Sequence, residues 1–232
     1  MNAPALAGRP GALKTPHFGQ LSRVGFLARG DVGRHRCLDA ILSLADPEAG
    51  LPACFDLFTA GAALVARTPF DLVMACRRPV DRVSPQHERC SDELLRAGPP
   101  VLFLPYQPAP IRTKRVLLIC DGSRSSMAAA QAARFMLRSA TEVMLLDART
   151  QGAGLPFERI ATLVRDHAPR ARLDTTRIEL GSAASVLETA AFARADYVVM
   201  GGYGRWNALP DILYGDVEAP FLRSRIPFLL GQ

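Results

Sequence analysis

Apolar runs and turn-forming stretches alternate along the second half of the chain. Arg115-Val-Leu-Leu-Ile-Cys120 is an unbroken apolar run, as a strand buried on both faces requires. Asp121-Gly-Ser-Arg-Ser-Ser126 follows, rich in turn and helix-capping residues. From Met127 to Leu137, Ala130, Ala133, Phe135, Met136 and Leu137 make an apolar helical side. Residues 142–147 hold Val-Met-Leu-Leu, a second buried strand. Pro156 can open a helix at its first turn, and Phe157, Ile160, Ala161, Leu163 and Val164 then recur at helical spacing through His167. A third strand with partial alternation is predicted over 171–180. A helix starting at Gly181-Ser182 follows, with Ala184, Val186, Leu187, Ala190 and Ala191. Tyr197-Val-Val-Met200 is a fourth strand and runs into Gly201-Gly-Tyr-Gly204. After Gly215 a short helix over 217–223 precedes the last strand, Ile226-Pro-Phe-Leu-Leu230.

Strands alternating with helices of this length predict an α/β fold, a doubly wound parallel five-stranded sheet over 113–232. Ligands of such sheets sit at the carboxyl ends of the strands near the topological switch point. The loops after Cys120 and Met200 both lie at that end.

The first half repeats the order in abbreviated form. Residues 23–29 and Asp71-Leu-Val-Met-Ala75 are plausible strands, and 55–59 is an element of undecided type. Helices are predicted over 37–45, 62–67 and 91–97, with a final strand at Val101-Leu-Phe-Leu-Pro-Tyr106. Asp71-Leu-Val-Met resembles Asp196-Tyr-Val-Val-Met200, and the strand beginning at Val101 resembles the one beginning at Ile226. The pattern is an internal duplication whose first copy lacks one strand–helix unit. Pro105-Tyr-Gln-Pro-Ala-Pro110 is the natural linker. The expected organisation is a disordered leader over 1–20, a degenerate, shortened half over 21–108 and a complete domain over 113–232.

Composition narrows the chemistry. The five cysteines, Cys37, Cys54, Cys76, Cys90 and Cys120, include no C-x-x-C pair, so zinc-ribbon and thioredoxin-type readings find no support. Wide spacing and apolar settings fit a reducing compartment, and a cytoplasmic location is expected. No apolar run reaches the length of a membrane span. The net charge of +6 comes from arginines scattered along the chain. There is no basic helix with interleaved aromatics, so no specific nucleic-acid partner is expected. The histidines lie apart with no metal-ligand spacing. No G-x-S-x-G elbow, P-loop or G-x-G-x-x-G fingerprint is satisfied, since Asn207 stands where a third glycine would be. No catalytic residue and no metal ligand are assigned.

On three features the chain resembles the universal stress protein family: the strand ending in Asp121-Gly122-Ser123, the segment Tyr197-Val-Val-Met-Gly201-Gly-Tyr-Gly204, and Gly215 followed by a short helix and a terminal strand with Pro227. The resemblance covers about 120 residues at the C-terminus well and the first 110 loosely. It implies an adenine-nucleotide-alpha-hydrolase-like fold and a site for ATP or AMP lined by Asp121, Gly122, Ser123, Gly201, Gly204, Arg205, Gly215 and Asp216. The family pattern is G-x2-G-x9-G-(S/T). Here ten residues separate Gly204 from Gly215, and Asp216 occupies the hydroxyl position. Asp216 and Glu218 set like charges where a triphosphate would lie, a cost of roughly several kcal/mol at a partly desolvated site. Arg205 is the candidate to offset them.

The expected function is a stress-response binding module whose nucleotide site is weakened or lost. The alternatives are a purely structural, interacting pseudo-dimer and, last, a low-rate ATPase. The resemblance also implies that Val101-Leu-Phe-Leu-Pro-Tyr106 and Ile226-Pro-Phe-Leu-Leu230 pair antiparallel within one chain. A homodimer through the same strands is the other arrangement.

Overall fold

The computed structural model describes residues 71–74, 98–105, 112–149, 157–178, 185–202 and 224–231, and the backbone alone of 24–27, 55–58, 75–76 and 183–184. The strands in chain order are β1 (Val24–Leu27), β2 (Phe55–Phe58), β3 (Leu72–Cys76), β4 (Val101–Leu104), β5 (Arg115–Cys120), β6 (Glu142–Asp147), β7 (Arg172–Arg177), β8 (Tyr197–Gly201) and β9 (Phe228–Gly231). The helices among the described residues are α1 (Arg124–Ala132), α2 (Arg134–Leu137), α3 (Phe157–His167) and α4 (Ala183–Phe192). The leader over 1–20, the linker over 106–110 and the helices expected over 37–45, 62–67, 91–97 and 217–223 lie outside the described residues. The element of undecided type at 55–59 is a strand.

All these strands join one sheet in the order β2-β1-β3-β4-β9-β8-β5-β6-β7. Every neighbouring pair is parallel except β4 with β9. That antiparallel pair sets Val101 opposite Leu230, Leu102 opposite Leu229 and Phe103 opposite Phe228. Pro227 falls just before β9, where a missing N–H removes no ladder bond, and its carbonyl accepts from Val198 N–H at 3.0 Å. Pro105 directly follows β4.

The alternation of side chains along the strands divides the core between the two faces of the sheet. Val116, Leu118 and Cys120 of β5 join Leu102, Leu229, Ala129, Ala130, Ile160 and Val164 in one buried cluster. Leu117 and Ile119 join Val101, Phe103, Phe228, Leu230, Val186 and Ala190 in the other. Helices α1, α2 and α3 therefore cover one face and α4 the opposite one, as a doubly wound sheet demands. Both clusters cross the β4–β9 join without a break. Tyr197 is fully buried in the first cluster, and its hydroxyl has no hydrogen-bond partner among the described residues. No described helix is long and apolar enough to cross a membrane.

Two local readings change. The helix expected from Met127 begins earlier, at Arg124, with Ser123 of the turn and capping stretch as its N-cap. The single helix expected over 127–137 is two, α1 and α2, meeting at Ala133.

Candidate functional site

The switch point lies between β5 and β8: from β5 the chain runs outward to β6 and β7, from β8 to β9. Cys120 ends β5 and Gly201 ends β8, so the loops singled out from sequence leave the same edge of the sheet side by side.

The turn after β5 is built from its own side chains. Gly122 sits at φ 80°, a left-handed conformation that glycine adopts without steric cost. Asp121 Oδ1 accepts from Ser123 N–H at 2.9 Å and from the Ser123 hydroxyl. Ser123 Oγ in turn accepts from Ser126 N–H at 3.1 Å, the N-cap bond of α1. The Ser123 and Ser125 hydroxyls are 2.9 Å apart, and Ser126 Oγ donates to Ser123 O at 2.9 Å. Ser125 and Ser126 are buried.

Gly201 meets this serine turn directly. A Cβ there would lie 2.5 Å from Ser125 Oγ, 2.9 Å from Ser126 N and 3.1 Å from Ser123 Oγ. A Cβ at Gly231 would run into the backbone of Ser125 and Ala129. Gly202 N–H donates to Gly231 O at 2.8 Å, tying the end of β8 to the end of β9. The missing side chains let the first turn of α1 settle against the ends of both strands.

The structure therefore brings Asp121, Gly122, Ser123 and Gly201 to one place. Gly204, Arg205, Gly215 and Asp216, with Glu218 and Trp206, lie outside the described residues.

On the other side of β5 the edge carries groups that sequence reasoning missed. Cys120 stands opposite Asp147 in the register, and Asp147 opposite Arg177. Ala148 N–H donates to Cys120 O at 2.8 Å. Arg149 grips Asp147 with two parallel bonds, Nε to Oδ1 at 2.8 Å and Nη2 to Oδ2 at 2.9 Å, a fork geometry that lysine cannot supply. The Arg149 Cζ lies over the Phe157 ring, 5.5 Å from its centroid. The side-chain bond from Arg149 holds the Asp147 carboxyl below the usual carboxylate range. Burial pushes the Cys120 thiol up, against the opposing pull of Gly122 N–H and Arg149. Among the described residues no cluster of three histidines, cysteines or carboxylates could hold a metal ion. The signal for Asp147 and Arg149 was positional: they close the second strand, at the edge where ligands of such sheets bind.

No protein-family model matches the sequence, and no curated protein matches it. Solved structures do. A universal stress protein from Archaeoglobus fulgidus DSM 4304 superposes with a TM-score of 0.50 at 16% identity, over 80% of this chain and 70% of that one. A universal stress protein in complex with cAMP aligns at 20% identity over 50% of this chain and 94% of its own, with a TM-score of 0.33. A protein of Mycobacterium tuberculosis H37Rv aligns at 24% identity over 37% of this chain and 68% of its own, with a TM-score of 0.26. The Archaeoglobus superposition agrees with the element order and the mostly parallel sheet described above, and the fold of this chain is that of the universal stress proteins.

Proposed function

We propose that the chain is a stress-response binding protein whose C-terminal unit takes an adenine nucleotide, ATP or AMP, weakly at the carboxyl ends of β5 and β8. The observation that carries this reading is the contact of Gly201 with Ser123, Ser125 and Ser126 at the switch point. Two loops about 80 residues apart in sequence meet there, where sheets of this kind bind their ligands. Asp121, Gly122, Ser123 and Gly201 form the near wall, and Gly204, Arg205, Gly215 and Asp216 belong to the loop that would close it.

Two features support a weak grip. The first turn of α1 already spends Ser126 N–H on Ser123 Oγ, and the Ser123 N–H and hydroxyl on Asp121 Oδ1, which leaves fewer donors for phosphate. Asp216 and Glu218, just after Gly215 in the sequence, add negative charge to the stretch that the family pattern assigns to phosphate. The reading is of binding, not turnover, and a low-rate ATPase ranks last because no general base has been identified.

A second reading, a structural pseudo-dimer, is favoured by the β4–β9 pairing. The order β2-β1-β3-β4 matches β6-β5-β8-β9 strand for strand, and β7 has no counterpart in it. On this reading the first half is a shortened copy that lacks one outer strand.

Titration calorimetry with ATP, AMP and cAMP, with chromatography of the denatured protein for carried-over nucleotide, tests both. The expected dissociation constant for ATP is above roughly 100 µM. Submicromolar binding overturns the weak grip, and no binding at millimolar nucleotide leaves the structural reading. Asp216→Ser with one residue deleted from 205–214 should tighten ATP binding; an unchanged affinity would mean that the site was lost for other reasons.

A further inference from the structure

The antiparallel join turns the first half round, so the starts of β3 and β4 lie toward the carboxyl end of β9, with Val101 opposite Leu230. Asp71 immediately precedes β3 and Pro100 immediately precedes β4, and Val73 N–H donates to Pro100 O at 2.9 Å. Helix α1 is seated on β9 at the same edge, where a Cβ at Gly231 would meet Ser125 and Ala129. Between α1–α2 and the starts of β3 and β4 lies a cleft of about 220 Å³. One side is Asp71 and Pro100, from the first half, and the other is Ala128, Ala132, Arg134 and Phe135, from the second. The cleft is complete only where the two halves meet, and none of its lining comes from Asp121 to Ser126 or from Gly201.

The size of the cleft limits its occupant. At about 30 Å³ for each water molecule it holds about seven of them, so a ligand of roughly seven to ten non-hydrogen atoms fills it. Its walls carry one charge of each sign. Arg134 Nε donates to Gln131 O at 2.7 Å, which anchors the guanidinium to its own helix through Nε and not through its two terminal nitrogens. Among the described residues no ion pair joins Arg134 to Asp71. A carboxylate accepts from more than one donor, so Asp71 can take an ammonium alongside the interaction it already makes. The half-buried Phe135 and Pro100 are apolar walls, and Ala128 and Ala132 have side chains short enough to leave the space between them. A lone anion would meet the Asp71 carboxylate and a lone cation the Arg134 guanidinium, whereas a zwitterion answers both.

We propose that this cleft is a second ligand site, for a small zwitterion with an apolar body: an α-amino acid of the size of valine or leucine. Arg134 takes its carboxylate, Asp71 takes its ammonium, and Phe135 with Ala128 and Ala132 takes its side chain. The inference goes beyond the nucleotide reading of the switch-point site and stands or falls without it.

The test is nuclear magnetic resonance on the full chain, following the backbone amides as L-leucine and L-valine are added to 20 mM. The expected result is saturable shifts at Asp71 and from Ala128 to Phe135, with none at Ser123 and Gly201. For so few atoms the expected dissociation constant is roughly 1 mM. Leucinamide lacks the carboxylate and N-acetyl-leucine the ammonium, and each should bind about five-fold more weakly or worse. Asp71→Asn and Arg134→Gln should each weaken leucine binding by a similar factor, with the circular dichroism spectrum unchanged. No saturable shift with either amino acid overturns the site. Shifts at Ser123 and Gly201 in place of those at the cleft overturn its placement. Equal binding of leucine and of either analogue overturns the zwitterion as the ligand class. If Asp71→Asn fails to fold, Arg134→Gln alone decides, and unchanged leucine affinity in that variant refutes the proposal.

Discussion

β9 and β7 are the outer strands of the five-stranded parallel set β9-β8-β5-β6-β7, and they have opposite fates. β9 reads Phe-Leu-Leu-Gly and is wholly buried, and its outer edge is taken by β4. β7 reads Arg-Leu-Asp-Thr-Thr-Arg, is largely exposed and is the outermost strand on its side among the described residues. Unpaired strand edges invite association, and charged side chains blunt them. Arg172 and Asp174, 3.1 Å apart, sit on the exposed edge strand, while β9 itself carries no polar side chain. The composition of an outer strand thus tells whether a further strand is to cover it.

The largest test of this contrast is a pair of substitutions. Leu229 is 0% exposed at the centre of the β4–β9 join. Leu229→Asp should cost about 4 kcal/mol or more, because it leaves a buried charge without a partner. Thr175→Asp on exposed β7 should stay within about 0.5 kcal/mol. Urea unfolding of both variants, with soluble yield, measures the gap; comparable losses would break the comparison.

A smaller loss is expected where β9 meets its helix. Gly231→Ala sets a methyl against the backbone of Ser125 and Ala129, which cannot yield as a flexible side chain could. The expected cost is about 3 kcal/mol by urea unfolding. A neutral Gly231→Ala would show that α1 is not seated on β9 as described.

The smallest effect lies on the β7 side. Asp147, between Cys120 and Arg177 in the register, has its pKa lowered chiefly by the bond from Arg149. A carboxyl lowered in the folded state stabilises fully above its unfolded pKa, near 3.8. That contribution is lost as pH falls through the lower folded value. Asp147→Asn should therefore lose less stability than the parent between pH 5 and pH 2. Parallel acid titrations by circular dichroism would show it, and identical curves would mean that the pair contributes nothing.

Much of this was legible in the chain. The unbroken run at 115–120 could only be a strand covered on both sides, and Ile160, Ala161 and Val164 occur at the spacing of a buried helical stripe. Asp121, Ser123 and Gly201 were legible as residues of the turns that meet at the switch point because turn chemistry and glycine are local signals. Gly231 was not, because its reason is a helix about 100 residues earlier in the chain. Nor was the division of 127–137 into α1 and α2, since an alanine-rich stretch reads as one continuous helix.

What the sequence by itself determined is therefore the kind of each element and which side of it is apolar, since hydrophobic period and turn chemistry act over a few residues. What only the tertiary structure decided is partnership. Val101 to Leu104 would suit several apolar strands equally well, and its pairing with β9 depends on how the sheet packs across both faces. In the same way Arg149 gains its fixed place from Asp147 and from Phe157, eight residues further along the chain. Close approach and long-range pairing are set by which surfaces fit together in three dimensions, and no local pattern carries that.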